Sequence, residues 1–193
     1  MLEKNLPLEL VNIAYKAGLT IMDIYKKDFH IDIKNDNSPV TIADESAEKL
    51  ILHELNNKFP NIPVISEEAY SNGIVPNFSE EFFLVDPLDG TKEFIKKNGE
   101  FTVNIGFVRN GYARLGVIYA PAMKAMYFCD TESNAFELKI KNNFSESFSL
   151  DNAIKINVNS SKKLALTAIT SRSHNNSKTC LLYTSDAADD WSS

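Results

Sequence analysis

At 193 residues, with 44% hydrophobic and 24% charged residues, the chain has the length and composition of one ordinary globular domain with a sizeable core. A formal net charge of −6 argues against a nucleic-acid-polymer surface, which would be basic. Two cysteines, Cys129 and Cys180, lie far apart and outside any C-x-x-C pattern, so neither a disulfide framework nor a thiolate metal site is indicated.

The charge does not exclude a small phosphorylated ligand, because a bound cation reverses the local field. A reducing cytoplasm fits the cysteine usage. Glu3, Lys4 and Asn5 are wrong for a signal peptide, and no run approaches the roughly 20 apolar residues of a membrane span. Oligomeric state and any peripheral attachment to an inner membrane are left open.

Residues 6–28 carry Leu10, Ile13, Ala14, Ala17, Ile21 and Ile24 at helical spacing, which predicts an amphipathic helix with Pro7 in its first turn. Glu9, Asn12, Lys16 and Asp23 fall on its polar side. His30 to Lys34 alternates as a short strand, and His30 reads as a surface residue. Ser38-Pro39 reads as a turn. A second helix is expected over about 43–59, burying Ala47, Leu50, Ile51 and Leu55, with His53 at its surface. Thr41 or Asp44 caps it, and Glu45 and Glu48 occupy its first turns. On the residues alone, capping is the favoured account of Asp44.

Asn61 to Glu68 is an apolar run ending in Ser66, Glu67 and Glu68. Its default reading is a strand edge with solvated charge. Residues 69–81, with Ser71, Asn72, Gly73, Pro76 and Asn77, read as a loop.

Phe82 to Val85 is short, aromatic and branched, which predicts a buried strand. Asp86-Pro87-Leu88-Asp89-Gly90-Thr91 follows, with Pro87 and Gly90 punctuating a tight turn and a helix starting near Thr91. Asp86 and Asp89 thus stand at the carboxyl end of a strand, where α/β sheets bind ligands. Two carboxylates so spaced can converge on a hard cation such as Mg²⁺, and the Leu88 carbonyl can add an oxygen. The amides of Gly90 and Thr91, free at a helix start, suit a phosphate. The competing account is an Asp-Pro turn with an aspartate cap.

Phe101 to Val108, Tyr112 to Tyr119 and Lys124 to Cys129 read as an antiparallel meander, with Asn110-Gly111 as a hairpin turn and a further strand over 134–140. Phe101, Val103 and Ile105 read as core. Thr102 and Asn104 read as buried polar or inter-strand partners. Residues 142–151 form a polar loop. Strands are expected over 153–158 and 164–171, the latter leading into Ser171-Arg172-Ser173-His174.

The Asp86 to Thr91 motif resembles the metal-binding signature of the inositol monophosphatase superfamily. Its extension through Lys92-Glu93-Phe94 to Ile105 is most similar to the CysQ-type 3′(2′),5′-bisphosphate nucleotidases. The resemblance implies an α/β layered sugar-phosphatase fold, here mainly its N-terminal lobe. Asn37-Ser38-Pro39-Val40-Thr41-x-x-Asp44 is similar to a second family motif, which implies that Asp44 orients or deprotonates the attacking water. Ser66-Glu67-Glu68 resembles a third, which implies Glu67 as a metal ligand and contact of the water, with Glu68 in support.

The implied catalytic residues are thus Asp44, Glu67 and Thr91. The implied metal ligands are Glu67, Asp86, the Leu88 carbonyl and Asp89, and the implied phosphate contacts are Gly90 and Thr91. The implied cofactor is Mg²⁺, two or three ions in the intact family. The implied reaction is hydrolysis of 3′-phosphoadenosine 5′-phosphate to AMP and phosphate. Alternatives are an inositol monophosphatase or sugar-phosphate phosphatase, or an inactive fragment that binds metal or phosphate. The expected partner is a small phosphorylated nucleotide.

The resemblance runs from about Leu8 to Lys178. The family's Trp-Asp-x-Ala element does not follow, since Trp191 is succeeded by Ser192. Residues 1–178 are therefore expected to form a lobe incomplete at its C-terminal end, and residues 179–193 a non-native tail.

Overall fold

A run of successive hairpins gives the sheet its order. In a computed structural model, residues 2–27, 31–33, 39–74, 80–140 and 150–158 are described. They form α1 (Leu2–Tyr25), β1 (Ile31–Ile33), β2 (Pro39–Thr41), α2 (Ile42–Lys58), β3 (Val64–Ser66), α3 (Glu67–Ser71) and β4 (Glu81–Asp89). There follow α4 (Thr91–Ile95), β5 (Thr102–Arg109), β6 (Tyr112–Ala120), β7 (Ala125–Cys129), β8 (Ala135–Lys139) and β9 (Ile154–Ile156). These elements belong to one compact unit, Met1–Asn157; residues from Val158 onward fall in a second, where only Val158 is described. The strand expected over 164–171 and the segment Ser171 to His174 lie outside the described residues, as does His30.

Strands β3 to β9 make a seven-stranded sheet in sequence order. β3 and β4 run parallel, and each later pairing is antiparallel. The expected meander is therefore present. Asn110 and Gly111 both take positive φ (53° and 76°), which suits a tight hairpin turn.

Period-two alternation gives the sheet two unlike faces. Phe83, Val85, Val103, Ile105, Phe107, Leu115, Val117, Met126 and Leu138 point to one side and are buried. α1 and α2 pack on that side with Leu10, Ile13, Ala14, Ala17, Ile21, Ala47, Ile51 and Leu55. The opposite side presents Leu84 at 52% exposure and Ile118 at 49%, and lines an open groove of about 900 Å³. Asp86, Asn104 and Glu67 also line this groove.

Four boundaries differ from expectation: first, β4 runs through Pro87 to Asp89 instead of ending at Val85 before a tight turn, with a register shift between Asp86 and Asp89 taking up the proline. α1 begins before Pro7, which forfeits one amide bond without ending the helix, and it closes at Tyr25 rather than residue 28. Pro39 opens strand β2 instead of a turn; the first residue of a strand tolerates proline, and β2 pairs with β1. The expected loop over 69–81 begins as helix, because α3 runs from Glu67 to Ser71.

Candidate active site

The turn after β4 is built by its glycine. Gly90 has φ +93°, a left-handed conformation, and a Cβ there would lie 2.9 Å from the Glu100 carbonyl oxygen. Glycine thus lets α4 start immediately against the Glu100–Phe101 backbone. α4 is then anchored by aromatic packing: Phe94 lies 5.1 Å from both Tyr25 and Phe101, ring centroid to centroid, and Tyr25 lies 4.9 Å from Phe101. Rings at these separations stabilise beyond the area they bury. This cluster holds Thr91, the first residue of α4, in place.

Thr91 meets Asp44 across 47 residues of sequence. Its hydroxyl lies 3.0 Å from Asp44 Oδ1 and 3.2 Å from the Leu88 carbonyl oxygen. Asp44 Oδ2 accepts from the Thr41 amide at 2.8 Å and from the Thr41 hydroxyl at 2.7 Å, while the Ala43 amide donates to Thr41 Oγ1. Thr41 and Asp44 therefore form a capping box at the start of α2. The capping expectation for Asp44 is met by one oxygen of its carboxylate, while the other faces Thr91. Asp44 is only 1% exposed. Burial pushes its carboxyl above the ordinary value, against the opposing pull of the Thr41 and Thr91 hydrogen bonds.

Glu67 and Asp86 come together because β3 and β4 are parallel neighbours in register, with Ser66 beside Val85. Each strand delivers an acid just past that pair. The Asp86 carboxyl is pushed up to about 8, first by burial, then by the charges of Glu67 and Asp89 and a hydrogen bond with Glu67. The Leu88 amide donates to the Asp86 carboxylate and opposes this. Asp86 Oδ1 is buried and has no hydrogen-bond partner.

Glu67 is exposed and opens α3, whereas Glu68 is buried at 6% exposure. Asp89 is exposed and accepts from Asn104 Nδ2 at 3.3 Å. A register shift between Asp86 and Asp89 separates the two aspartates along the strand pair.

Two contributors escaped the sequence reading. Glu48, one turn beyond Asp44 in α2, accepts from the Ser66 hydroxyl and from the Ala69 amide at 3.0 Å, so it ties α2 to the start of α3. Asn104 was legible as a buried polar residue but not as a neighbour of Asp89. In both cases the partner is distant in sequence, and no local pattern announces it.

The donor set is all oxygen: Glu67, Asp86 and Asp89 carboxylates with the Leu88 carbonyl beside them. Among the described residues, no three His, Cys, Asp or Glu side chains are gathered closely enough to hold an ion as they stand. The chemistry nevertheless fits a hard cation, since like charges crowd around an unpartnered, buried Asp86 oxygen. Among the described residues no helix is long and apolar enough to cross a membrane.

The profile of the Inositol monophosphatase family matches residues 6–187. The 3′(2′),5′-bisphosphate nucleotidase CysQ of Salmonella typhimurium (strain LT2) is 48% identical over 122 residues, covering 62% of this chain and 50% of that protein. CysQ of Escherichia coli (strain K12) is 47% identical over 121 residues, covering 62% and 49%. The crystal structure of CysQ from Bacteroides thetaiotaomicron, a bacterial member of the inositol monophosphatase family, superposes with a TM-score of 0.70 at 34% identity. It covers 97% of this chain and 69% of that one. The chain spans about half the length of the curated relatives it matches. A family match over most of the chain, and a solved relative of similar fold, agree with the acidic end of β4: the chain belongs to the inositol monophosphatase family.

Proposed function

We propose that this chain carries the metal and water-activating half of a Mg²⁺-dependent phosphate monoester hydrolase, a 3′(2′),5′-bisphosphate nucleotidase releasing phosphate from 3′-phosphoadenosine 5′-phosphate. The observation that carries the reading is the Asp44–Thr91–Leu88 linkage, set at the end of the strand that also bears Asp86 and Asp89. The names of the CysQ relatives support the nucleotide as substrate.

Glu67, Asp86, Asp89 and the Leu88 carbonyl would hold Mg²⁺. When bound, the cation supplies charge stabilisation for the phosphoryl group and makes water a better nucleophile. Thr91 donates its one hydroxyl proton to Asp44, which leaves an Oγ1 lone pair to accept from the attacking water. As water attacks, its proton passes to Thr91 Oγ1 and the Thr91 proton to Asp44 Oδ1. A buried carboxylate with a raised affinity for protons is suited to this role. The amides of Gly90 and Thr91 face the phosphoryl oxygens.

The test is Mg²⁺-dependent phosphate release from 3′-phosphoadenosine 5′-phosphate by the purified chain, with Asp86→Asn as control. Release that the substitution abolishes supports the reading, and release that survives it rejects the assignment of Asp86. Inositol monophosphate and sugar bisphosphates in the same assay separate the nucleotidase from its family relatives. A second reading is a polypeptide that binds metal or phosphate without turnover. Calorimetric Mg²⁺ binding without phosphate release distinguishes it.

A further inference from the structure

Asn104 stands directly across the β4–β5 pair from Asp86, on the groove side of the sheet. Its neighbours along that face are Leu84, Gly106 and Ile118, so a residue chosen for packing alone would be apolar there. Asparagine is poor in strands, and its amide brings two donors and an acceptor to be satisfied.

Chemistry sets which way the amide faces. Asp89 Oδ2 lies 3.3 Å from the Asn104 side chain, and a carboxylate oxygen needs a donor, so the NH₂ turns to Asp89. The carbonyl Oδ1 is thereby turned away from Asp89. It is buried and has no hydrogen-bond partner. The other buried side-chain oxygen without a partner among the described residues is Asp86 Oδ1, on the residue paired with Asn104 in register. Two unmet acceptors on directly paired residues call for one electropositive guest. A hydrated Mg²⁺ is such a guest, since this ion retains waters whose hydrogens seek acceptors.

We propose that Asn104 is a positioning residue for the cation, an inference that rests on the Mg²⁺ reading above. Its NH₂ orients the Asp89 carboxylate, and its Oδ1 accepts from a water of the ion's shell. Partners of this kind set metal affinity by orienting the ligands and the shell around them.

The experiment is calorimetric titration of the full chain with MgCl₂, alongside Asn104→Leu and Asn104→Ser, with thermal unfolding of each in EDTA. Asn104→Leu is expected to weaken Mg²⁺ binding about 10–100-fold, the range typical for loss of such a partner. Asn104→Ser, which keeps a hydroxyl, is expected to fall between it and the parent. The metal-free unfolding midpoint of Asn104→Leu is expected to equal or exceed the parent's, because the unmet acceptor is gone. A lowered metal-free midpoint with unchanged affinity makes Asn104 structural and overturns the proposal. Equal affinity in parent and Leu variant also overturns it while leaving the Mg²⁺ site standing. A parent that binds no Mg²⁺ removes both.

Discussion

Asp44 and Thr91 are joined at 3.0 Å across 47 residues of sequence, so the first turn of α2 and the first turn of α4 share one hydrogen bond. Thr91→Val removes the hydroxyl and keeps the shape. Phosphate release is expected to fall about 10²–10⁴-fold, the usual contribution of a positioned acid–base group. The buried Asp44 Oδ1 loses its donor, so a stability cost of about 1–3 kcal/mol is expected alongside, read separately from the loss of turnover. Thr91→Ser should retain most activity. Parallel turnover and thermal-melt measurements check both.

Asp86 makes the metal-free chain sensitive to pH. Its folded carboxyl titrates at about 8 against an ordinary 3.8, so the folded state holds the proton more tightly than the unfolded chain. A raised value of this kind contributes stability that is complete below about pH 4 and is lost as pH climbs through 8. The unfolding midpoint in EDTA is therefore expected to be higher at pH 5 than at pH 8.5. Asp86→Asn should flatten that dependence and abolish phosphate release. Unfolding curves across pH with and without the substitution are the measurement. A midpoint that rises with pH in a manner traceable to Asp86 would contradict the assignment.

Glu48 ties α2 to α3 through Ser66 and the Ala69 amide. Glu48→Ala leaves the buried Ser66 hydroxyl and a backbone amide without their acceptor, and is expected to cost about 1–3 kcal/mol. Because Glu67 stands between those two residues, Mg²⁺ affinity should fall as well. Glu48→Gln keeps an acceptor oxygen and should recover part of both losses. Denaturant unfolding paired with Mg²⁺ titration separates the two effects.

Gly18 marks where α1 meets the sheet. A Cβ at this position would sit 2.3 Å from Tyr119 Cε1, inside any real contact distance. Gly18→Ala must therefore displace the buried Tyr119 ring, and an overpacking cost of about 1–3 kcal/mol is expected. The double substitution Gly18→Ala, Tyr119→Leu should cost less than the two single changes together, which a double-mutant cycle by urea unfolding reads directly.

Much of this architecture was legible because its signals are local. The meander follows from alternating residues and the Asn110-Gly111 turn, and α2 from its capping residues and the spacing of Ala47, Ile51 and Leu55. The buried strand and the helix start at Thr91 were legible for the same reason, whereas Pro87 suggested a turn where β4 runs on to Asp89. β2 was hidden by Pro39, whose turn preference outweighed its tolerance at a strand start. α3 was hidden by its brevity, since five residues carry no helical period. At the site, Asp44 was readable as a cap from its own neighbourhood, but its contact with Thr91 was not. Nor were the Glu48–Ser66 and Asn104–Asp89 contacts, because no pattern within a dozen residues encodes them. The acidic residues proposed as ligands announce themselves by their motif; the groups that hold them still do not.

Strands β5 to β8 pair with their neighbours in the chain across turns of a few residues, so that stretch can zip up by short loop closures. The bond from Thr91 to Asp44 spans 47 residues and closes a much wider loop. Refolding followed by tryptic protection should therefore find the meander guarded early, with the acidic cluster assembling only once α2 has docked. In such a chain the widest closure is also the one that brings Asp44 to Thr91.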